Sequence, residues 1–126
     1  MSFVTAASCG IEHHEWLKAI DFYDQELDIL EKRLAEIINK NTGTDAMAGA
    51  GHFQNQFIVQ RNNIDELRHA IREHDHKTAD DAFAHGGHIH SELVSEHAGV
   101  KENFSSFEKV IKDIRSEFND YLAKWM

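Results

Sequence analysis

The sequence predicts an all-α protein, an antiparallel up-down-up bundle of three long helices, and three observations support this fold class. Apolar residues recur every three or four positions along almost the whole chain, which is the period of helices packed side by side. The 126-residue chain contains no proline, so no proline interrupts long helices. Two glycine-containing breaks divide the chain into segments of similar length, and short loops of this kind join antiparallel neighbours.

The predicted helices span about residues 4–41, 44–84 and 88–125 of a single domain, residues 1–126. The first break ends at Gly43, after which Thr44 or Asp45 is suited to cap the second helix. The second break is the diglycine Gly86–Gly87, the strongest helix stop in the chain. No stretch alternates with a period of two, so no strand is predicted.

A bundle of four helices is the alternative. A break near residues 76–87 would make the end of the second segment a short helix or a loop, and residues 98–99 offer a further break. The apolar series passes through Gly99 without a change of phase, which favours three helices.

Composition and charge exclude several classes of partner. The net charge is −9, and no segment collects the lysines and arginines that track a phosphate backbone, so neither nucleic acid nor an anionic membrane is expected. Cys9 is the only cysteine, which rules out an intrachain disulfide. The first residues lack the charged and apolar regions of a signal peptide, and no run approaches the length of a membrane span. A soluble, cytoplasmic protein is expected.

The histidines are the unusual feature of this sequence. Ten are present, and six of them lie between residues 73 and 97. When each apolar series is extended by its own spacing, four histidines fall on core-facing positions: His13, His74, His90 and His97. When the chain is folded at its two breaks, His13, His74 and His97 lie at about the same height, within about one helical turn, and His90 lies about two turns nearer the diglycine.

Each of the three level histidines follows a glutamate: Glu12, Glu73 and Glu96. Such a carboxylate can bind a metal from the side or accept a hydrogen bond from a metal-bound imidazole. The predicted metal site therefore contains His13, His74 and His97, with Glu12, Glu73, Glu96 and His90 as further candidates. Imidazole and carboxylate ligands suit zinc, nickel, copper or iron. No catalytic residue and no binding site for another cofactor is predicted.

Three alternatives stay open at this point. The level histidines are also consistent with polar core residues bonded to Thr78, Ser95 or water, which is the usual state of core histidines. The chain would then be a non-catalytic structural or interaction bundle. Self-association as a homodimer or binding to another protein would use the apolar C-terminal end, which includes Phe118, Tyr121 and Trp125. A third hypothesis is a scaffold that loses stability when its core histidines become charged.

The stretch "EHHEW" (Glu12–Trp16) in a helical, histidine-rich chain resembles the hemerythrin-like cation-binding bundles. Of that family's motifs, HxxxE is matched by His69 and Glu73, and HxxxxD by His76 and Asp81. The motif HxxxH has no counterpart, so the family's oxygen chemistry is not expected here. The Glu-x-x-His motif of ferritin-like di-iron bundles occurs at Glu66–His69 and at Glu73–His76. Both copies lie in the second predicted helix, whereas that family requires one copy on each of two facing helices.

Overall fold

The computed structural model describes residues 5–126 and contains three helices: α1 (Ala6–Lys40), α2 (Thr44–Ala84) and α3 (Ser91–Trp125). Within residues 5–126 there is no strand, only an isolated antiparallel bridge between Thr5 and His88. The predicted three-helix bundle is confirmed. The four-helix alternative is wrong, because α2 continues through residues 76–84 and α3 continues through Gly99.

The first two helices begin close to their predicted positions, and the N-cap of the second differs from the predicted one. The predicted start at residue 4 lies outside the described residues, and α1 begins at Ala6 with Thr5 as its N-cap. Thr5 Oγ1 accepts a hydrogen bond from the Ser8 backbone N–H, and Ser8 Oγ accepts one from the Thr5 N–H, which satisfies two of the free donors of the first turn. The N-cap of α2 is Gly43, so Thr44 and Asp45 lie inside the first turn instead of capping it.

The third helix begins at Ser91, three residues later than predicted. Gly86 and Gly87 have φ values of 64° and 93°, a left-handed turn that glycine adopts without strain. The Gly87 carbonyl then accepts a hydrogen bond from the Ala6 N–H, which ties the turn to the start of α1. The residues after the diglycine connect α2 to α3 and are not helical. His90 is the last of them, an extended N-cap with ψ 152°, and is therefore not the core-facing helical residue that was predicted.

The buried side chains follow the spacing of three or four residues seen in the sequence. Trp16 is buried and its neighbour Leu17 is only partly buried, and Ala46 is buried while its neighbour Met47 is exposed. The apolar core runs along all three helices and includes Ile20, Leu27, Leu34, Phe57, Ile64, Ile71, Phe104, Phe107, Ile111 and Phe118. Burial of these side chains is the main stabilising term of the fold.

Polar contacts between helices fix their relative heights. Arg61 on α2 donates to three carboxylates of α1, those of Asp24, Asp28 and Glu31. At the far end of the bundle, Asn41 Nδ2 donates to the Trp125 carbonyl at 3.0 Å. The opposite end of the bundle contains the start of α1, the end of α2 and the start of α3. It is called the glycine-turn end below.

Candidate metal centre

Each helix contributes one buried histidine to a cluster two to three turns from the glycine-turn end. His13 is 1% exposed, His74 is fully buried and His97 is 7% exposed. One ring nitrogen of each lies within 4.8 Å of the corresponding nitrogen of the other two. The three ring centroids form a nearly equilateral triangle with sides of 5.0, 5.1 and 5.3 Å. These three residues are called the histidine triad below, and their predicted convergence is confirmed.

The outward nitrogen of every triad histidine contacts a carboxylate. His13 Nδ1 lies 2.7 Å from Asp75 Oδ1, His74 Nδ1 lies 3.2 Å from Glu96 Oε1, and His97 Nε2 lies 3.2 Å from Glu12 Oε1. An ionised carboxylate only accepts hydrogen bonds, so each of these nitrogens is the protonated donor of its ring. The partners anticipated for these histidines, Thr78 and Ser95, are not the ones used; Thr78 donates instead to the Asp75 carbonyl.

This assignment of protons decides what faces the centre of the triad. In a neutral imidazole only one nitrogen carries a proton, so His13 Nε2, His74 Nε2 and His97 Nδ1 present lone pairs. His97 Nδ1 lies 3.2 Å from His13 Nε2 and 3.2 Å from His74 Nε2. With all three rings neutral, no proton lies between these nitrogens. In that state three lone pairs face the centre of the triad, which is the arrangement that three imidazole ligands of a cation have.

Two of the three distances between the inward nitrogens can be compared with those of a zinc-bound set. Zinc binds imidazole nitrogen at about 2.0–2.1 Å with tetrahedral angles, which places ligand nitrogens about 3.3–3.4 Å apart. The two nitrogen–nitrogen distances of 3.2 Å in the triad are close to that value.

The carboxylates close a ring around the triad. Glu12 on α1 bonds to His97 on α3, Glu96 on α3 bonds to His74 on α2, and Asp75 on α2 bonds to His13 on α1. Each helix thus supplies one histidine to the centre and one adjacent carboxylate to the histidine of a neighbouring helix. Carboxylates that orient metal-bound histidines in this way are typical of protein metal sites.

The direction of the helices explains which acidic neighbour is used. Successive residues lie about 100° apart on a right-handed helix. When the bundle is viewed along its axis, the residue before a histidine on α1 or α3 lies on the same rotational side as the residue after a histidine on antiparallel α2. Glu12 and Glu96 precede their histidines, whereas Asp75 follows His74. Glu73, on the other side of His74, therefore cannot take part in the same ring.

Two lysines balance the ring of carboxylates from the solvent side. Lys101 Nζ lies 3.3 Å from Glu12 Oε2, and Lys77 Nζ lies 3.5 Å from Glu96 Oε1. Burial acts to raise the pKa of Glu12, but hydrogen bonds from His97 and Lys101 outweigh it and lower that pKa below its ordinary value. Glu12 is therefore ionised at neutral pH and accepts from His97.

Burial governs the protonation of the innermost histidine. It lowers the pKa of His74 below the ordinary value, and the proximity of His13 and His97 lowers it further, against the opposing effect of Glu96. His74 is consequently neutral at pH 7, the state in which an imidazole binds a metal.

Buried side chains lie on both sides of the triad along the bundle axis. Towards the core, the Trp16 ring stacks on His97 at a centroid distance of 5.0 Å and lies 5.6 Å from His13. Towards the glycine-turn end, Cys9 and Thr78 are 1% and 2% exposed. Burial raises the pKa of the Cys9 thiol, and the carboxylates of Glu12 and Asp75 raise it further, so this residue is a neutral thiol rather than a thiolate at pH 7.

Two of the residues expected at the site lie elsewhere. Glu73 is on the outer side of α2, near His69 Nε2 at 3.5 Å and Lys77 Nζ at 3.8 Å. His90 lies in the glycine turn, where its Nδ1 donates to Asp81 Oδ1 at 2.7 Å. Conversely, the sequence interpretation missed Asp75, which borders His74, and Trp16, which lies one turn from His13.

Comparisons with known proteins give no family for this chain. No protein-family model matches it, and no curated protein or solved structure is significantly similar to it. Among the described residues, no helix combines the length and apolar character needed to cross a membrane. The interpretation of function therefore depends on the geometry of the histidine triad.

Proposed function

We propose that this small helical bundle binds one divalent transition metal ion through His13, His74 and His97. The observation that carries the proposal is the convergence of three imidazole lone pairs on one buried point, with the outward N–H of every ring held by a carboxylate. A merely structural set of core histidines would satisfy its inward nitrogens with donors, because unpaired buried acceptors are costly. In this proposal a metal ion binds the three inward lone pairs, for which the protein provides no hydrogen-bond donor.

Zinc is the ion that the donor set favours, with nickel, copper and iron as the alternatives. Three neutral imidazoles without a thiolate suit these borderline ions better than magnesium or calcium, which prefer oxygen ligands. The ion would carry a charge of +2 inside a ring of three carboxylates, of which Glu12 and Glu96 also contact lysines. We infer a role in binding or sensing a metal, and no catalytic step is assigned.

Trp16 provides a direct reporter of binding, because its ring stacks on His97. The chain contains two tryptophans, so a Trp125→Phe background leaves Trp16 as the only one. Addition of Cu²⁺ or Ni²⁺ to this single-tryptophan protein is expected to quench its fluorescence with a stoichiometry of one ion, and excess Zn²⁺ is expected to prevent the quenching by competition.

The matched variants replace histidine by glutamine in two environments. His97→Gln removes a ligand from the triad, whereas His69→Gln changes an exposed histidine that also has a carboxylate neighbour, Glu73. Saturable quenching should be lost in His97→Gln and unchanged in His69→Gln. Equal quenching in both variants, or none in the parent protein, would contradict the proposal.

A second candidate function is self-association, supported by the outer side of α1. Ile11, Phe22 and Ile29 are each more than half exposed, and their spacings of 11 and 7 residues place them on one side of the helix. The C-terminal aromatic residues do not provide this surface, since Phe118 is buried and Tyr121 and Trp125 are partly buried. Sedimentation analysis is expected to give a dimer that Phe22→Lys converts to a monomer; a monomeric parent protein would reject this candidate.

A further inference from the structure

A second group of potential metal ligands lies at the glycine turn, outside the triad. Asp81, His85 and His90 each place one ligand atom within 4.8 Å of the other two. Asp81 is on the last turns of α2, His85 is the C-cap of α2, and His90 is the N-cap of α3. These three residues are called the turn cluster below. Since Asp81 follows His74 by seven residues, the cluster lies about 10 Å further along the helix axis than the triad.

The geometry of the turn cluster depends on the diglycine. His85 is four residues after Asp81, so both side chains lie on the same side of the helix end. The left-handed turn at Gly86 and Gly87 then returns the chain so that the His90 ring lies 4.5 Å from the His85 ring. The Asp81 carboxylate holds His90 in place by accepting from its backbone N–H and from its Nδ1, both at 2.7 Å.

The ligand atoms of the turn cluster surround one carboxylate oxygen. Asp81 Oδ1 lies 2.7 Å from His90 Nδ1 and 3.3 Å from His85 Nδ1. The side chain of Asp81 is 16% exposed, whereas those of His85 and His90 are 48% and 61% exposed, so water can complete the coordination of an ion. Two imidazoles, one carboxylate and water form a common ligand set for zinc, nickel and copper.

We propose that Asp81, His85 and His90 form a second, solvent-accessible site for a divalent transition metal ion. On binding, His85 and His90 carry their ring proton on Nε2, where water accepts it, and use Nδ1 as the ligand. His85 thereby gives up its hydrogen bond to the Asp81 carbonyl, and neither imidazole has a carboxylate behind it. An orienting carboxylate is worth about 10–100-fold in metal affinity, so this site is expected to bind correspondingly more weakly than the triad.

Occupation of the turn cluster also has a structural consequence. The ion would join the end of α2 to the start of α3, next to the hydrogen bond from the Ala6 N–H to the Gly87 carbonyl. Cys9 and Thr78, each about one helical turn from a triad histidine towards this end of the bundle, are both buried. A metal ion bound there is therefore expected to slow hydrogen exchange in the first turn of α3.

The proposal is tested by calorimetric titration of four proteins with Zn²⁺: the parent, His97→Gln, His90→Gln and the double variant. The parent should bind two ions, one tightly and one about 10–100-fold more weakly. His97→Gln should keep the weak ion, His90→Gln should keep the tight ion, and the double variant should bind none. His69→Gln is the matched control, because its exposed imidazole and the Glu73 carboxylate lack a third ligand; it should bind as the parent does.

The outcomes for the two sites are separable. If His97→Gln and the double variant bind zinc equally, the turn cluster is not a site, and the proposal for the triad is unaffected. If the parent binds only the weak ion and His90→Gln abolishes it, the triad proposal fails and the turn cluster stands. Should His97→Gln not fold, ¹⁵N spectra of the parent replace it: zinc must shift the Nδ1 resonances of His85 and His90, and unchanged resonances overturn the proposal.

Discussion

The histidine triad and the turn cluster each bring three ligand atoms within 4.8 Å of one another, but they differ in the direction of their protons. In the triad, carboxylates occupy the outward nitrogens and leave three lone pairs facing the centre. In the turn cluster, the Asp81 carboxylate itself lies at the centre; the His90 Nδ1 proton points at it, and the His85 Nδ1 proton points at the Asp81 backbone carbonyl. The comparison teaches that the position of the hydrogen-bond acceptors, more than the proximity of the histidines, determines whether a cluster is prepared for a metal ion.

The two clusters also differ in how they depend on the fold. The triad joins residues that are 84 and 23 positions apart, so its ligands come together only in the folded bundle. The turn cluster uses residues 81–90, and its ligands remain near one another in an unfolded chain. A metal ion bound to the triad therefore stabilises the fold, whereas the turn cluster contributes less because some of its affinity survives unfolding.

The largest expected effect is stabilisation of the whole protein by zinc. A ligand that binds only the folded state at 100 times its Kd adds about 2.7 kcal/mol to the free energy of unfolding. Denaturant unfolding with and without zinc should show such an increase in the parent and not in His97→Gln, with His69→Gln behaving as the parent. An increase that survives His97→Gln would place the stabilising ion elsewhere.

The next effect concerns the ring of carboxylates. Glu12→Gln, Asp75→Asn and Glu96→Gln are each expected to weaken zinc binding at the triad about 10–100-fold, because the imidazole loses its orienting acceptor. Glu73→Gln is the control, since Glu73 neighbours His74 in sequence but lies outside the ring. Competition titrations against a chromophoric chelator measure these affinities. A loss of affinity in Glu73→Gln equal to that in Asp75→Asn would show that general charge, rather than the ring, is responsible.

A smaller effect is expected on the pH dependence of stability without metal. The pKa of His74 is lowered in the folded state by burial, so below the ordinary value of 6.5 the unfolded chain binds more protons than the folded protein. Stability is therefore complete above pH 6.5 and declines as the pH falls towards the folded-state pKa. Thermal unfolding should give a lower Tm at pH 5.5 than at pH 7.5, with a reduced difference in His74→Leu; an unchanged difference in that variant would assign the pH dependence to other groups.

The smallest effect is expected from the turn cluster in the absence of metal. His85→Gln changes an exposed side chain whose contacts are local, so the free energy of unfolding should change by less than about 0.5 kcal/mol. Urea unfolding of the metal-free protein checks this value. A loss of several times that size would mean that the cluster stabilises the glycine turn without any ion.

The apolar spacing was sufficient to predict three helices and the meeting of His13, His74 and His97, because core-facing positions and chain direction fix which residues share a level. The rotation of about 100° per residue would also have selected Asp75 over Glu73. On an antiparallel helix, the residue after a histidine lies on the side where the residue before a histidine lies on the other two helices. Two features were beyond the sequence pattern. The choice of Trp16 over Leu17 depends on stacking with His97, and the position of His90 depends on the path of the diglycine turn.

The most direct measurement is a crystal structure of the zinc-loaded protein with anomalous data collected on both sides of the zinc absorption edge. A peak should lie among His13 Nε2, His74 Nε2 and His97 Nδ1, at about 2.0–2.1 Å from each. The outward nitrogens should remain bonded to Asp75, Glu96 and Glu12. A zinc-loaded crystal with no peak inside the triad, or with a proton-bridged triad at the distances found here, would contradict the proposed metal site.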